Sequence, residues 1–179
     1  VVFMGNSITE GWKNKMPAMF DNQTFINRGI SGQTTPQMLL RFRTDVIELK
    51  PKAVVILAGT NDIAGNTPLR DLEAVVGNLA SMGELAKHQN IKVILCSVLP
   101  ASDYPWRPGK NPDTKIPLLN ELIRNYAEKE DFYYLDYFTS MTDGNNGLKA
   151  NYGSDGVHPN IRGYRVMQKM VLKAIDKIL

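Results

Sequence analysis

The chain holds a single cysteine, Cys96, and only two histidines among its 179 residues. A lone cysteine closes no internal disulfide, so the fold must rest on an apolar core, and cysteine usage leaves the compartment open. Lys and Arg exceed Asp and Glu by 21 to 18, without a run of five or six like charges, so nucleic acid is not the expected partner. No stretch approaches the roughly 18 apolar residues of a membrane span. The first residues lack the basic, apolar and small-residue order of a leader peptide. Val1-Val2-Phe3 instead reads as the middle of a buried strand. Residues upstream, a leader among them, are therefore expected, with an extracytoplasmic bacterial location. Two histidines, with no acids grouped beside them at ligand spacing, predict neither a zinc site nor another metal or cofactor. No feature sets an oligomeric state.

What is present is ordinary globular composition, 43% hydrophobic and 22% charged, which excludes disorder, collagen and coiled coil. The length suits one domain over residues 1–179, able to bury about 70% of its unfolded surface. Short β-branched or aromatic runs alternate with longer segments of helical period, the pattern of repeated βα units on a parallel sheet. The spacing predicts strands at Val1–Met4, Thr24–Asn27, Ala53–Ala58, Lys92–Ser97 and Phe132–Leu135. It predicts helices at Ile8–Phe20, Thr35–Leu49, Leu69–Gln89, Ile116–Lys129 and Ile161–Leu179, the last with Val166, Met170, Ala174 and Ile178 in one i, i+4 row. Two long connections, Leu99–Lys115 and Phe138–Asn160, are candidates for function.

Candidate chemistry sits where strands end. Gly5-Asn6-Ser7 leaves the first strand and opens a helix. Ser7 there is either an N-cap, since Ser7-Ile8-Thr9-Glu10 has the S-x-x-E form of a capping box, or a nucleophile at a helix N-terminus whose free amides favour a developing oxyanion. The segment is no G-x-S-x-G elbow and misses the spacing of a phosphate-binding loop. A serine nucleophile needs a base. His88, near a helix C-terminus, reads as solvated, which leaves His158 in Asp155-Gly156-Val157-His158-Pro159. Asp155 can hold the imidazole tautomer while the other ring nitrogen faces a hydroxyl; alternatively the segment is only a turn into a helix begun by Pro159. The turns holding Gly32 and Gly59-Thr60-Asn61-Asp62 follow the second and third strands. A parallel sheet brings them to the same rim as Ser7, an oxyanion hole by composition, although each alone also reads as a simple turn.

These four segments, in this order from Gly5 to His158, resemble the SGNH hydrolase superfamily, the GDSL-type esterases, lipases and acylhydrolases. The resemblance implies a three-layer α/β/α sandwich with a five-stranded parallel sheet of flavodoxin-like topology. It implies Ser7 as nucleophile, Asp155 and His158 as acid and base, and an oxyanion hole from the amides of Ser7 and Gly32 with the Asn61 side chain. It departs from the family's G-D-S consensus at Asn6, which stands where the aspartate would be. The implied substrate is a small-molecule ester. Family chemistry ranges over sugar acetates, lysophospholipids, thioesters and platelet-activating-factor-like acetyl esters, with a binding module on the same fold as the non-enzymatic alternative.

The connection after the fourth strand carries Tyr104, Trp106 and Arg107. It reads either as a surface loop pinned by Trp106 or as a substrate wall, with Tyr104 and Trp106 offering rigid faces and Arg107 a donor fork; Tyr152 is a further candidate. Both long connections are rich in Pro, Gly, Asn, Asp and Lys, without an apolar lid. The expectation is therefore a short acyl group, acetate above all, on a polar and possibly carbohydrate alcohol.

Overall fold

The computed structural model describes residues 1–21, 24–68 and 71–179. Its strands are β1 (Val2–Gly5), β2 (Ile26–Gly29), β3 (Ala53–Leu57), β4 (Lys92–Cys96) and β5 (Tyr133–Leu135). They form one parallel sheet in the order β2-β1-β3-β4-β5. The helices are α1 (Ser7–Lys15), α2 (Thr35–Asp45), α3 (Thr60–Ala64), α4 (Leu72–His88), α5 (Pro112–Glu130), α6 (Tyr137–Met141) and α7 (Ile161–Ile178). This is the expected α/β sandwich. The chain leaves β1 for one edge and β3 for the other, so the order reverses between them, where open α/β sheets bind ligands.

Strand periodicity builds both cores at once. Val2, Met4, Val54, Ile56, Val93 and Leu95 point to one face, against Met38 and Phe42 of α2, Leu79 and Met82 of α4, and Leu119 and Ile123 of α5. Phe3, Val55, Leu57, Ile94 and Cys96 point to the other, against Ile8 and Trp12 of α1, Tyr137 of α6, and Tyr164, Met167 and Val171 of α7. Strands buried on both faces carry continuous apolar runs, AVVIL in β3 and VILC after the exposed Lys92 in β4, which is why both are readable. Among the described residues, no helix is long and apolar enough to cross a membrane.

Several boundaries differ from the expectation for identifiable reasons. The edge strand β2 runs two residues later than predicted, because INRG is only half-buried and lacks an apolar signature. The predicted helix to Phe20 ends at Lys15, and Pro17–Met19 form a separate 3₁₀ turn, since proline does not continue a helix. The predicted helix to Leu49 likewise closes at Asp45, before a 3₁₀ turn at Ile47–Leu49. Pro112 at the first turn lets α5 begin four residues before the predicted Ile116. The predicted start at Leu69 lies outside the described residues. The α7 core row is Tyr164, Met167, Val171, Ala174 and Ile175, with Val166, Met170 and Ile178 at its margin: the buried stripe is wider than one i, i+4 line and centred on the stacked Tyr164 and Trp12 rings.

Candidate active site

Gly5, Gly29 and Leu57 lie in register across β1, β2 and β3, so the turns after these strands share one rim. At Gly29 the backbone of α1 crosses the strand so closely that a Cβ would sit 2.1 Å from the Glu10 nitrogen. Only glycine allows α1 to start this near the edge strand.

The cap of α1 is Asn6, whose side chain accepts from the Ile8 N–H at 3.0 Å while its carbonyl accepts from Glu10. The capping-box reading of Ser7 is thus corrected. Asn and Asp cap helices about equally well, each worth about 1 kcal/mol over alanine. The residue at position 6 therefore does for the helix what an aspartate would, and Ser7 is left at the first helical position with its hydroxyl unencumbered. That hydroxyl lies 3.0 Å from His158 Nε2.

The last connection is folded to present His158. Gly153 and Pro159 form an isolated bridge, Asn160 N–H donates to the Tyr152 carbonyl, and the Asn160 side chain caps α7. Pro159 thus precedes the cap instead of starting the helix. The Tyr164 hydroxyl, on the first turn of α7, donates to the Ile8 carbonyl of α1 at 2.7 Å, which fixes α7 and its leading loop beside Ser7. Asp155 Oδ1 accepts from the N–H groups of Val157 and His158, and Oδ2 lies 2.7 Å from His158 Nδ1. Partial burial pushes the Asp155 carboxyl up, but these hydrogen bonds outweigh it and hold the group below the usual aspartate value. An ionised carboxylate only accepts, so Nδ1 carries the proton and Nε2 offers its lone pair to Ser7.

The opposite wall is built by α2 and α3. Gly32 has φ +78°, a left-handed conformation that suits glycine. Its carbonyl accepts from Asn66 Nδ2, and the next carbonyl, Gln33, accepts from Asn61 Nδ2 at 2.9 Å. Asn61 is buried, and this bond uses one of its two amide hydrogens. Behind it Asp62, also buried, receives the Thr35 N–H and hydroxyl, tying the start of α2 to α3. Burial raises the Asp62 pKa, partly opposed by those bonds.

The loop between β4 and α5 closes the rim. Asn120 of α5 pairs with both the N–H and the carbonyl of Val98, which sets where the loop departs. Asp103 accepts from the N–H groups of Tyr104 and Gly109, and the Tyr104 hydroxyl meets Thr60 Oγ1 at 2.9 Å. Tyr104 is fully buried, which corrects the expectation that it faces a ligand: its phenol is spent on α3, and its ring supports Trp106 at 5.2 Å. Arg107 directs Nη1 to the Gly65 and Ala64 carbonyls at the end of α3, a helix-capping role for at least part of its fork. Trp106 is 44% exposed, with its ring 5.6 Å from the His158 imidazole. Tyr152 is half-buried among the α7-side core, with Lys149 over its ring. His88 is the exposed last residue of α4. A groove of about 830 Å³ opens at the opposite end of the sheet between Lys87, Lys92, Phe132, Tyr133 and Lys177. Neither Ser7 nor His158 lines it, so this groove and the Ser7–His158 pair lie apart.

Five residues that shape the rim carry no positioning role in the sequence analysis: Asn6, Thr35, Arg41, Asn66 and Asn120. Thr35 meets Asp62, Arg41 donates to the Gly5 carbonyl, Asn66 to the Gly32 carbonyl, and Asn120 accepts from Val98, all partners distant in sequence; Asn6 caps its own helix inside the first motif and alone carries a local signal.

Residues 3–166 match the model of the GDSL-like Lipase/Acylhydrolase family. The crystal structure of a GDSL-like lipase from Bacteroides thetaiotaomicron is 49% identical and superposes with a TM-score of 0.96 over 99% of this chain and 88% of that one. An acetylxylan esterase of Xylanibacter ruminicola is 28% identical over 98% of this chain and 42% of its own length. A lipoprotein of Bacillus subtilis is 40% identical over 82 residues, 44% of this chain and 34% of that protein. The chain thus spans well under two thirds of these two curated relatives. With a family match that runs from β1 into α7, on a sheet of the same fold, the chain belongs to the GDSL-like lipase/acylhydrolase family within the SGNH hydrolase superfamily.

Proposed function

We propose that the protein is a serine esterase that removes short acyl groups, acetate above all, from a polar and carbohydrate-like alcohol. The observation that carries the chemistry is the unbroken line from Ser7 Oγ through the His158 ring to Asp155, with contacts of 3.0 and 2.7 Å. His158 Nε2 takes the Ser7 proton as Oγ attacks the ester carbonyl. The negative oxygen is held by the N–H groups of Ser7 and Gly32 and the Asn61 side chain. The tetrahedral adduct expels the alcohol, which leaves with the proton from His158. Water then attacks the acyl-enzyme, gives its proton to His158 and releases the acid, and Ser7 recovers its hydrogen. No step calls for a metal or cofactor.

The substrate class rests on two supports. The indole of Trp106 stands half-exposed beside the base, a flat amphipathic face of the kind that packs on sugar rings. The acetylxylan esterase of Xylanibacter ruminicola is similar over nearly the whole of this chain. We also propose an extracytoplasmic location, supported by the similarity to the Bacillus subtilis lipoprotein.

Rates on 4-nitrophenyl esters of graded length and on acetylated xylo-oligosaccharides test the proposal. The expected result is fastest turnover of acetyl esters, with acetate released from the sugar by wild type and not by Ser7→Ala. Rates that climb steadily from acetyl to decanoyl replace it with a lysophospholipase or thioesterase. No turnover of any ester above the Ser7→Ala background leaves a binding module.

A further inference from the structure

The guanidinium of Arg41 takes no part in the acyl transfer described above, yet its nitrogens reach two parts of the rim and an acid on its own helix. On α2, with its side chain only 14% exposed, Arg41 sends Nε to Gln33 Oε1 at 2.6 Å, Nη2 to the Gly5 carbonyl at 3.1 Å and Nη1 to Asp45 Oδ2 at 2.5 Å. Gly5 ends β1 two residues before Ser7, and its carbonyl also receives the Ile30 N–H. Gln33 follows Gly32, and its own carbonyl holds Asn61 Nδ2. One planar cation therefore joins the nucleophile turn to the turn that carries Gly32 and whose Gln33 carbonyl holds the Asn61 amide. Asp45, one turn along the helix, keeps the fork pointed at the rim.

Helix α2 does not need this contact to dock. Its first residue is clasped by Asp62, and Met38 and Phe42 are fully buried in the core. The segment from Ile30 to Thr34, by contrast, lies outside any strand or helix, and its Gln33 N–H reaches the Ile30 carbonyl only at 3.4 Å. Its position depends on side chains that grip it from neighbouring elements: Asn66 on the Gly32 carbonyl, Asn61 on the Gln33 carbonyl, Arg41 on the Gln33 side chain. Oxyanion donors are effective only when held within about 0.5 Å of their productive positions, about 3 Å from the developing charge.

We infer that Arg41 is the positioning residue of the oxyanion hole, setting the spacing between the Ser7 turn and the Gly32–Asn61 pair without touching substrate. The inference rests on the esterase reading. A lysine at this place keeps the charge but cannot serve three acceptors in one plane.

The test is steady-state hydrolysis of 4-nitrophenyl acetate by wild type, Arg41→Ala, Arg41→Lys, Gln33→Leu and Ser7→Ala, with thermal melts of each. Arg41→Ala is expected to lose about 10- to 100-fold in kcat with KM within about threefold, because the donors act on the transition state. The pH profile keeps its midpoints, since His158 and Asp155 are not partners of Arg41. Guanidinium added below denaturing concentration restores part of the Arg41→Ala rate and none of the Ser7→Ala rate. Arg41→Lys remains well below wild type. A folded Arg41→Ala with kcat within about threefold of wild type overturns the inference, as does a loss matched in KM with no guanidinium rescue, which makes Arg41 a purely structural brace. If Arg41→Ala does not fold, Gln33→Leu decides: a kcat at least about threefold lower at unchanged KM supports the assignment, and an unchanged kcat overturns it. Wild type no faster than Ser7→Ala instead removes the esterase reading, and this inference with it.

Discussion

The two walls of the rim are built to opposite rules. On the side proposed to hold the oxyanion, Asn61, Asp62, Thr35 and Thr34 are all buried, and their hydrogen bonds run to one another, to backbone and to the side chains of Gln37, Thr67 and Asn78. On the base side, the side chains of His158 and Asp155 are 35% and 42% exposed, on a loop closed by one bridge and one helix cap. The contrast follows from what each wall is proposed to do. Donors for a developing charge are most effective when water is kept off them and no reorganisation is needed at the moment of reaction. A base that gains and gives up a proton in each half-reaction must face first the leaving alcohol and then the incoming water, so its wall stays open to both.

The largest effects should come from the exposed wall and its partner. Ser7→Ala and His158→Ala are each expected to lower kcat by about 10³-fold or more while the melt stays near wild type, because the two act as a unit. Asp155→Asn should cost less than either. Retention of most activity by the serine or histidine variant would break the comparison at its root. Next comes the buried wall: Asn61→Ala is expected to lower kcat by about 10²- to 10³-fold with little change in KM, and a pure KM effect would recast Asn61 as a substrate ligand.

A third test concerns what the walls enclose. Trp106→Ala should reduce kcat/KM for an acetylated xylo-oligosaccharide more than for 4-nitrophenyl acetate, since a small surrogate cannot use contacts to the alcohol half. Equal losses on both substrates would return Trp106 to a packing role.

The smallest effect compares the carboxylates directly. Asp155 titrates below its unfolded value, so its contribution to stability is present above about pH 4 and fades as pH falls through the folded pKa. Asp62 titrates above its unfolded value, so its contribution is full below about pH 4 and fades as pH rises through the folded pKa. The melting-temperature deficit of Asp155→Asn should therefore shrink on acidification and that of Asp62→Asn should grow. Parallel slopes would mean that the two environments do not differ as described.

How much of this was legible in the sequence depends on whether a residue's task is local. Strands β3 and β4 were plain because burial on both faces leaves an unbroken apolar run. Ser7, Gly32, Asn61, Asp155 and His158 were picked out because strand ends in a parallel sheet must meet at one rim and because their motifs stand in order. Helix α3 was read as a turn, since five residues are too few for a helical period to show. Helix α6 was absorbed into a long connection for the same reason. Tyr104 was misassigned because a tyrosine in a Pro- and Gly-rich loop looks exposed, and only the Thr60 hydroxyl below it explains its burial. Arg41 gave no sign, because its three acceptors come from β1, the loop after β2 and its own helix.

The hydrogen bond between Ser7 and His158 joins residues 151 positions apart. During synthesis the serine emerges first, and at about 5 to 20 residues per second the histidine follows about 8 to 30 s later. Until then the chain holds the proposed nucleophile without its proposed base, and a fragment ending before His158 never acquires one. On the esterase reading, hydrolytic competence thus arises in one event, when His158 reaches Ser7, instead of growing with the chain.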